Sequence, residues 1–137
     1  MQYPINGSCQ CGQVKYKLLE KPAMVIACHC NECQILSSSV YSITSIIDSD
    51  KIEFEGEMNE WSRPAESGNI SAAKFCPYCG NRIYHYNPLD PDKFKLKLKP
   101  SIPNDCVDFK PAAHIWTSQR MEWFDIPDDA KNIEGQP

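Results

Sequence analysis

Eight cysteines in a chain of 137 residues constrain the fold more than any other feature of the sequence. Seven of them form three tight clusters, which are Cys9-x-Cys11, Cys28-x-Cys30-x-x-Cys33 and Cys76-x-x-Cys79, and the eighth is Cys106. The first residues show neither the basic nor the apolar stretch of a secretory signal, so we expect a cytoplasmic location. Structural disulfides are rare in that reducing compartment, and clustered thiols there are typical of metal sites.

The composition is that of an ordinary globular protein and excludes several classes. Hydrophobic residues make up 42% of the chain and charged residues 23%, which argues against disorder. No apolar run approaches the ~20 residues needed to cross a bilayer, so we expect no membrane partner. The net charge of −4 argues against nucleic acid as a partner. The length suits one domain, which we place at residues 1–127, followed by a loose polar tail over residues 128–137.

The spacing of the cysteines suits zinc. A step of two or three residues brings two sulfurs to about 2.3 Å from one ion, as tetrahedral zinc requires. Seven ligands divide into four and three, and four thiolates close a structural site, whereas three leave a position for water or substrate. The central cluster can supply three ligands within six residues, and the two outer pairs would then form the closed site.

Each cluster also has an alternative interpretation. The sequence Cys76-Pro77-Tyr78-Cys79 is the redox motif of glutaredoxins, but that function needs a helix after the first cysteine. Here Gly80 and a strand pattern follow, which is typical of a zinc knuckle. The central cluster would be a second closed site if a fourth ligand completed it, and the candidates for that ligand are Cys106, His29, His85 and His114.

Short alternating or β-branched stretches predict strands over much of the chain. The clearest are Val14–Leu18, Val40–Ile47, Ile52–Phe54, Arg82–Tyr86 and Lys93–Lys99. The last of these places apolar residues on one face and four lysines on the other, which predicts a solvated lysine face. Helical periodicity is confined to one or two turns over Asn31–Ser37, and eleven prolines argue against long helices. The sequence predicts a mainly β fold of short antiparallel hairpins pinned by metal.

Longer motifs surround the three clusters. They are Gly7-Ser8-Cys9-x-Cys11-Gly12-x-Val14, Cys28-His29-Cys30-x-x-Cys33 and Phe75-Cys76-x-x-Cys79-Gly80, followed by His114-Ile115-Trp116 and Trp123. In this order they resemble the signatures of the glutathione-dependent formaldehyde-activating enzyme family, which also includes centromere protein V. The resemblance covers roughly residues 5 to 124, which is nearly the whole chain.

This resemblance implies a fold, a cofactor and an activity. The fold is a β-tent of small antiparallel sheets with little helix, and the cofactor is zinc, with two ions per chain. By position, Cys9, Cys11, Cys76 and Cys79 match the structural zinc site, and Cys28, Cys30 and Cys33 match the catalytic zinc. The family's founding activity condenses glutathione with formaldehyde to S-(hydroxymethyl)glutathione and is classed as a carbon–sulfur lyase. The expected partners are therefore a small-molecule thiol, glutathione being one candidate, and an aldehyde.

Three thiolates suit this chemistry because a sulfur-rich zinc site with an open position matches a soft ligand such as a thiol. Binding there would lower the pKa of the thiol and deliver it as a thiolate. Two other functions stay open on the sequence, namely a non-catalytic zinc-stabilised binding module and a thiol redox protein. Among the other polar residues, we expect His114 in the core and the side chain of His29 turned away from the metal. Four cations could hold substrate carboxylates or be surface charges, namely Arg63, Lys74, Arg82 and Arg120.

Overall fold

The structure is a computed structural model that describes residues 2–65, 67–90, 95–101 and 103–137. Within these ranges it contains eleven strands and one α-helix. The strands are β1 (Ile5–Ser8), β2 (Lys15–Leu18), β3 (Met24–Cys28), β4 (Ser42–Asp48), β5 (Ile52–Glu55), β6 (Asn59–Pro64), β7 (Ile70–Phe75), β8 (Arg82–Tyr86), β9 (Lys95–Leu98), β10 (Ala113–Ile115) and β11 (Lys131–Asn132), and the helix is α1 (Asn31–Ser37). The prediction of a mainly β fold with little helix is confirmed. No helix in the described ranges has the length and apolar character needed to span a membrane.

The strands form two sheets. A three-stranded sheet has the order β1-β2-β5, and an eight-stranded sheet has the order β11-β10-β3-β4-β9-β8-β7-β6. Every pair of strands is antiparallel except the pairs that β10 makes with β3 and with β11, which are parallel. The predicted antiparallel pairing is therefore found in most of the fold, whereas β10 pairs in parallel with both of its neighbours.

The main core lies between the two sheets. Strands in which apolar and polar residues alternate turn their apolar side chains inward. In β2 and β9, Leu18 and Leu98 are fully buried, whereas Lys95 and Lys97 are exposed. The solvated lysine face is thus confirmed for these two lysines. The first two residues of the predicted strand, Lys93 and Phe94, lie outside the described residues. The prediction was wrong for Lys99, whose ammonium group turns into the protein as described below.

The one helix begins and ends where the sequence predicted. Cys30 precedes it in an extended conformation, and its sulfur accepts a hydrogen bond from the Cys33 N–H at 3.4 Å, as an N-cap residue does. Ser38 ends the helix in the left-handed region with φ of 50°, and its N–H donates to the carbonyl oxygen of Ile35. A cap at each end therefore limits α1 to seven residues, shortly after strand β3.

The segment from Asp128, which the sequence suggested was a loose tail, contributes to the sheet instead. Strand β11 pairs in parallel with β10. Beyond it, the Ile133 N–H donates to the carbonyl of His114 at 2.9 Å, and the Trp116 N–H donates to the carbonyl of Gly135 at 3.2 Å. These bonds use backbone groups alone, so the polar side chains of the segment gave no sign of them.

One face of the large sheet brings distant parts of the chain together, because directly opposite residues of paired strands point to the same side. A row of such residues crosses β6, β7, β8, β9 and β4, and it consists of Trp61, Ala73, His85, Lys97 and Ile46. Further along β4, Thr44 and Ser42 lie on the same side, and Ser42 is opposite Cys28. We call this side of the sheet the site face, and α1 lies against it.

Candidate metal centres

Four of the predicted ligands converge where the two sheets meet. The sulfurs of Cys9, Cys11, Cys76 and Cys79 all lie within 4.8 Å of one another. The Cys9–Cys11 sulfur distance is 3.6 Å and the Cys11–Cys76 distance is 3.7 Å. Sulfurs placed 2.3 Å from a tetrahedral ion are about 3.8 Å apart, so this arrangement fits zinc. We call these four residues the quartet.

Each half of the quartet is a tight loop, closed by a hydrogen bond from the glycine after the second cysteine to the carbonyl of the first cysteine. The Gly12 N–H donates to the carbonyl of Cys9 at 3.1 Å, and the Gly80 N–H donates to the carbonyl of Cys76 at 2.8 Å. Both glycines have positive φ, at 83° and 76°, a conformation that other residues rarely adopt. The glycine after each pair of cysteines therefore permits the loop that directs two sulfurs to one point.

The two loops are joined to each other as well as to any bound ion. The Gln10 N–H of the first loop donates to the side-chain oxygen of Asn81 in the second, at 3.0 Å. Cys9 and Cys76 are buried beside Val14 and Ile83 in a small apolar cluster. The quartet is thus surrounded by protein on the side of these two cysteines, as expected of a structural site.

The glutaredoxin-like motif lacks the context that redox function needs. Cys76-Pro77-Tyr78-Cys79 lies in the turn between β7 and β8, which pair antiparallel. A thiol redox site of that type requires its first cysteine at the start of a helix in a βαβ unit. The structure therefore disfavours the redox interpretation of this pair.

Three further cysteines form a second group on the site face. Cys28 is the last residue of β3, Cys30 caps α1 and Cys33 lies in the first turn of the helix. Their sulfurs lie within 4.8 Å of one another, and no fourth histidine, cysteine or carboxylate joins them among the residues that the structure describes. Cys28 is buried, and the other two are half-buried. We call these three residues the triad.

The three thiols of the triad differ in how readily they ionise. The hydrogen bond from Cys28 lowers the pKa of Cys30 to about 2, and the same contact raises the pKa of Cys28 far above its ordinary value. Three sulfurs this close cannot all ionise without a neighbouring positive charge, because like charges disfavour one another. The donor set of the triad therefore fits a cation that favours thiolates, and zinc is such a cation.

The residues considered as a fourth ligand lie elsewhere. Cys106 is buried in the core between the sheets. His29 and His114 contact each other, with 2.7 Å between Nε2 of the first and Nδ1 of the second. Their rings are buried against Tyr41 and Phe124, as expected for His114. His85 lies on the site face but in a separate cavity.

A half-buried lysine beside the triad is the site residue that sequence reasoning missed. Lys99 Nζ donates to Ser42 Oγ at 3.0 Å and to Thr44 Oγ1 at 2.6 Å. Burial lowers the pKa of Lys99, while the charges of the Cys33 and Cys28 sulfurs act in the opposite direction. Ser42 and Thr44, two buried hydroxyl residues at alternate positions of β4, were the signal that a polar group packs against this strand.

A cavity of about 100 Å³ adjoins the helix on the same face. Its walls include Trp61, Arg63, Arg82 and His85 from strands β6 and β8, and Leu36 from α1. Two of the four cations considered in the sequence are therefore close together and next to the triad. The other two lie apart, since Lys74 pairs with Glu60 and Arg120 donates to a backbone carbonyl.

Similarity to known proteins agrees with this arrangement. A protein of Schizosaccharomyces pombe described as an uncharacterized lyase is 22% identical over 136 residues, which is 93% of this chain and 96% of that protein. The crystal structure of a Rhodobacter sphaeroides protein shares the fold, with a TM-score of 0.52 and 20% identity, over 74% of this chain and 90% of that one. The family model described as glutathione-dependent formaldehyde-activating enzyme matches residues 4–119. The chain therefore belongs to the glutathione-dependent formaldehyde-activating enzyme family.

Proposed function

We propose that this protein is a zinc-dependent carbon–sulfur lyase that forms and cleaves the adduct of a thiol and an aldehyde. Glutathione and formaldehyde are the first pair to test, because the family is defined by them. The observation that carries the proposal is the contrast in donor number, with four sulfurs in one group and three in the other. A three-sulfur group beside a half-buried lysine ammonium suits a reacting centre, whereas a closed quartet does not.

In this proposal Cys9, Cys11, Cys76 and Cys79 hold a structural zinc ion, and Cys28, Cys30 and Cys33 hold a catalytic one. When bound by three thiolates, zinc offers a remaining position to a substrate thiol and lowers the pKa of that thiol. The chain itself contributes the geometry of the triad, because the end of β3 and the first turn of α1 fix all three sulfurs.

The reaction needs one bond to form and one proton to move. A carbon–sulfur bond forms as the thiolate attacks the aldehyde carbon, and the electron pair of the C=O double bond moves to oxygen. That oxygen then takes up one proton, matching the proton lost by the thiol, and the reverse reaction breaks the same carbon–sulfur bond. The protein must therefore stabilise a transient negative oxygen near the triad.

Lys99 is placed to stabilise that oxygen. Its ammonium group has three N–H donors, and Ser42 and Thr44 accept two of them. The third has no acceptor among the described residues. Because Ser42 is directly opposite Cys28 in the sheet, the remaining donor lies near the triad. A fixed positive charge in a partly buried position stabilises developing negative charge more strongly than one in water.

The test combines metal analysis with a direct assay. We expect the reduced, metal-replete protein to contain two zinc ions per chain and to accelerate adduct formation from glutathione and formaldehyde, measured by NMR exchange spectroscopy. Cys30→Ser should lose one ion and the acceleration. Cys106→Ala is the matched control, because this cysteine lies in the core, and it should keep both. A protein with both sites loaded that accelerates no combination of small thiols and short aldehydes would instead be a zinc-stabilised binding module.

A further inference from the structure

The cavity beside α1 has the size of a single small anionic group. Its volume is about 100 Å³, which leaves room for a carboxylate group. Its walls are partly apolar, but they include two arginines, whose guanidinium groups can pair with a planar anion.

Arg82 is held in place without a carboxylate partner. Its guanidinium carbon lies 5.5 Å from the ring centroid of Trp61, a cation–π contact. Its Nη1 donates to His85 Nε2 at 3.2 Å. Burial, followed by the charge of Lys99, lowers the pKa of His85 to about 3, so the ring is neutral and accepts this bond. No carboxylate oxygen lies within 4.0 Å of Arg82 in the part of the chain that the structure describes.

Arg63 has a weak partner that a ligand can replace. Its Nε lies 3.7 Å from an oxygen of Glu32, and the Glu32 side chain is 53% exposed. Ion pairs at such exposed positions contribute little to stability. The two arginines of the cavity wall thus face one exposed carboxylate, that of Glu32. This local excess of positive charge occurs in a chain with a net charge of −4.

The cavity and the triad share the same helix. Glu32 and Leu36 line the cavity, and Cys33 lies between them in α1. Lys99 connects the two from the sheet side, since its charge acts both on His85 and on the triad sulfurs. An anionic group seated between the arginines would therefore hold the rest of a small molecule next to the triad.

We propose that Arg63 and Arg82 form a carboxylate-binding subsite, which makes the protein selective for thiol substrates that carry a carboxylate. The identity of the substrate as a thiol rests on the proposed function, whereas the anion-binding role of the arginines rests on the cavity itself. Arg82, held by Trp61 and His85, supplies a fixed guanidinium fork. Arg63 releases the carboxylate of Glu32 and pairs with the carboxylate of the substrate instead.

A binding experiment that requires no turnover tests the subsite. The sequence contains three arginines, so their Nε–Hε signals are readily followed by NMR in the metal-loaded protein. We expect S-methylglutathione to shift the signals of Arg63 and Arg82 but not that of Arg120. The dimethyl ester of the same compound, in which both carboxylates are blocked, should leave all three unchanged. Absence of a shift, or an equal shift with the ester, would overturn the subsite.

Kinetics with two matched thiols tests its role in selectivity. We expect Arg82→Gln to raise the KM for 3-mercaptopropionate roughly 10-fold to 100-fold, as the loss of a charged hydrogen bond would, and to leave the KM for 2-mercaptoethanol unchanged. Glu32→Gln should act in the opposite direction and lower the first KM about 2-fold to 5-fold, because Arg63 loses its competing partner. Lys131→Gln, at an exposed position in β11, is the control for loss of a charge and should change neither.

The two proposals fail in different ways. If no thiol is turned over, the proposed function fails, and the NMR titration still decides whether the arginines bind a carboxylate. If both thiols are turned over but Arg82→Gln alters their KM values equally, the reaction stands and the subsite is wrong. If a variant does not fold, the NMR titration of the wild-type protein still tests the subsite, because it needs no substitution.

Discussion

The quartet and the triad are built from the same side chain but differ in how far apart their ligands lie in the chain. Cys11 and Cys76 are separated by 65 residues, and their sulfurs are 3.7 Å apart. All ligands of the triad lie within six residues at the junction of β3 and α1. Ligands from distant segments make the ion part of the fold, because it holds together strands that meet only in the folded state. Ligands from one short segment make the ion separable from the fold.

Backbone N–H groups donate to a sulfur in both groups, as the Cys33 N–H does to Cys30 in the triad, but the groups differ in the charged side chain nearby. In the quartet, the Val14 N–H donates to the Cys9 sulfur at 3.2 Å and the Tyr78 N–H donates to the Cys76 sulfur at 3.4 Å. Backbone dipoles of this kind stabilise thiolates without reacting. The triad has a side-chain ammonium nearby, that of Lys99, which can also act on a bound molecule. If the proposed function holds, the surroundings of a sulfur centre distinguish a structural site from a reacting one as much as its number of ligands does.

The largest effect is expected from breaking the quartet. Cys76→Ser should unfold the protein, because a structural zinc site contributes an apparent ~10–16 kcal/mol and a whole domain has a net stability of only ~5–15 kcal/mol. Circular dichroism and the amide dispersion of NMR spectra are the measurements. A folded and active Cys76→Ser variant would show that the quartet is not the structural site.

Breaking the triad should leave the fold intact. We expect Cys30→Ser to retain the strand signal in circular dichroism, to lose one of two zinc ions and to lose turnover. The reason is that β3 is held by its pairing with β4, and serine can replace Cys30 as the N-cap of α1. Zinc content by mass spectrometry under native conditions and an adduct assay are the two measurements. If Cys30→Ser unfolds the chain as Cys76→Ser does, the contrast between the two groups is wrong.

Removing the ammonium should separate metal binding from chemistry. Lys99→Met is expected to keep both ions and to lower kcat roughly 100-fold, which is the usual cost of removing one donor to a developing oxyanion. Lys95→Met, at an exposed position at the start of β9, is the matched control and should have the kcat of the wild-type protein. An unchanged kcat in Lys99→Met would remove Lys99 from the reaction.

The smallest effects are expected from the hydrogen bonds that support each group. Gln34 Nε2 donates to the carbonyls of His29 and Gln119, at 2.8 and 2.9 Å, which fastens the loop of the triad. Gln34→Ala should weaken zinc binding at the triad about 3-fold to 10-fold, measured by competition with a chelating dye. Asn81→Ala removes the bond between the quartet loops and should instead lower the free energy of unfolding by about 1 kcal/mol. Equal effects of both substitutions on zinc affinity and on unfolding would contradict the separation of the two groups.

The grouping of the cysteines and most strands could be predicted because both depend on local patterns. Spacing within a few residues determines which sulfurs reach one point, and alternation in β2 and β9 determines which side chains turn inward. The parallel pairing of β10 could not be predicted in the same way, because β3 and β11 join it through backbone groups. The polar residues of β11 resembled a loose tail for that reason.

The position of Lys99 and the arginine cavity depended on long-range register. Four lysines at alternate positions predicted one solvated face, and the residues inside β9 obey that rule. Lys99 follows the end of β9, and only the pairing of that strand with β4 brings its ammonium to Ser42 and Thr44. Likewise, Arg63 and Arg82 meet because β6, β7 and β8 are neighbours, and the spacing between two arginines in the sequence contains no such information.

The wide separation of the quartet's halves has a consequence for biosynthesis. Five cysteines, including the whole triad, precede Cys76 in the chain. They therefore leave the ribosome before the quartet can form. An ion captured at that stage meets a mixture of thiols from both groups. We expect the triad to bind zinc first. The quartet can bind zinc only after Cys76 and Cys79 have left the ribosome. A cell short of zinc would therefore accumulate chains that never mature, in preference to finished molecules that merely lack activity.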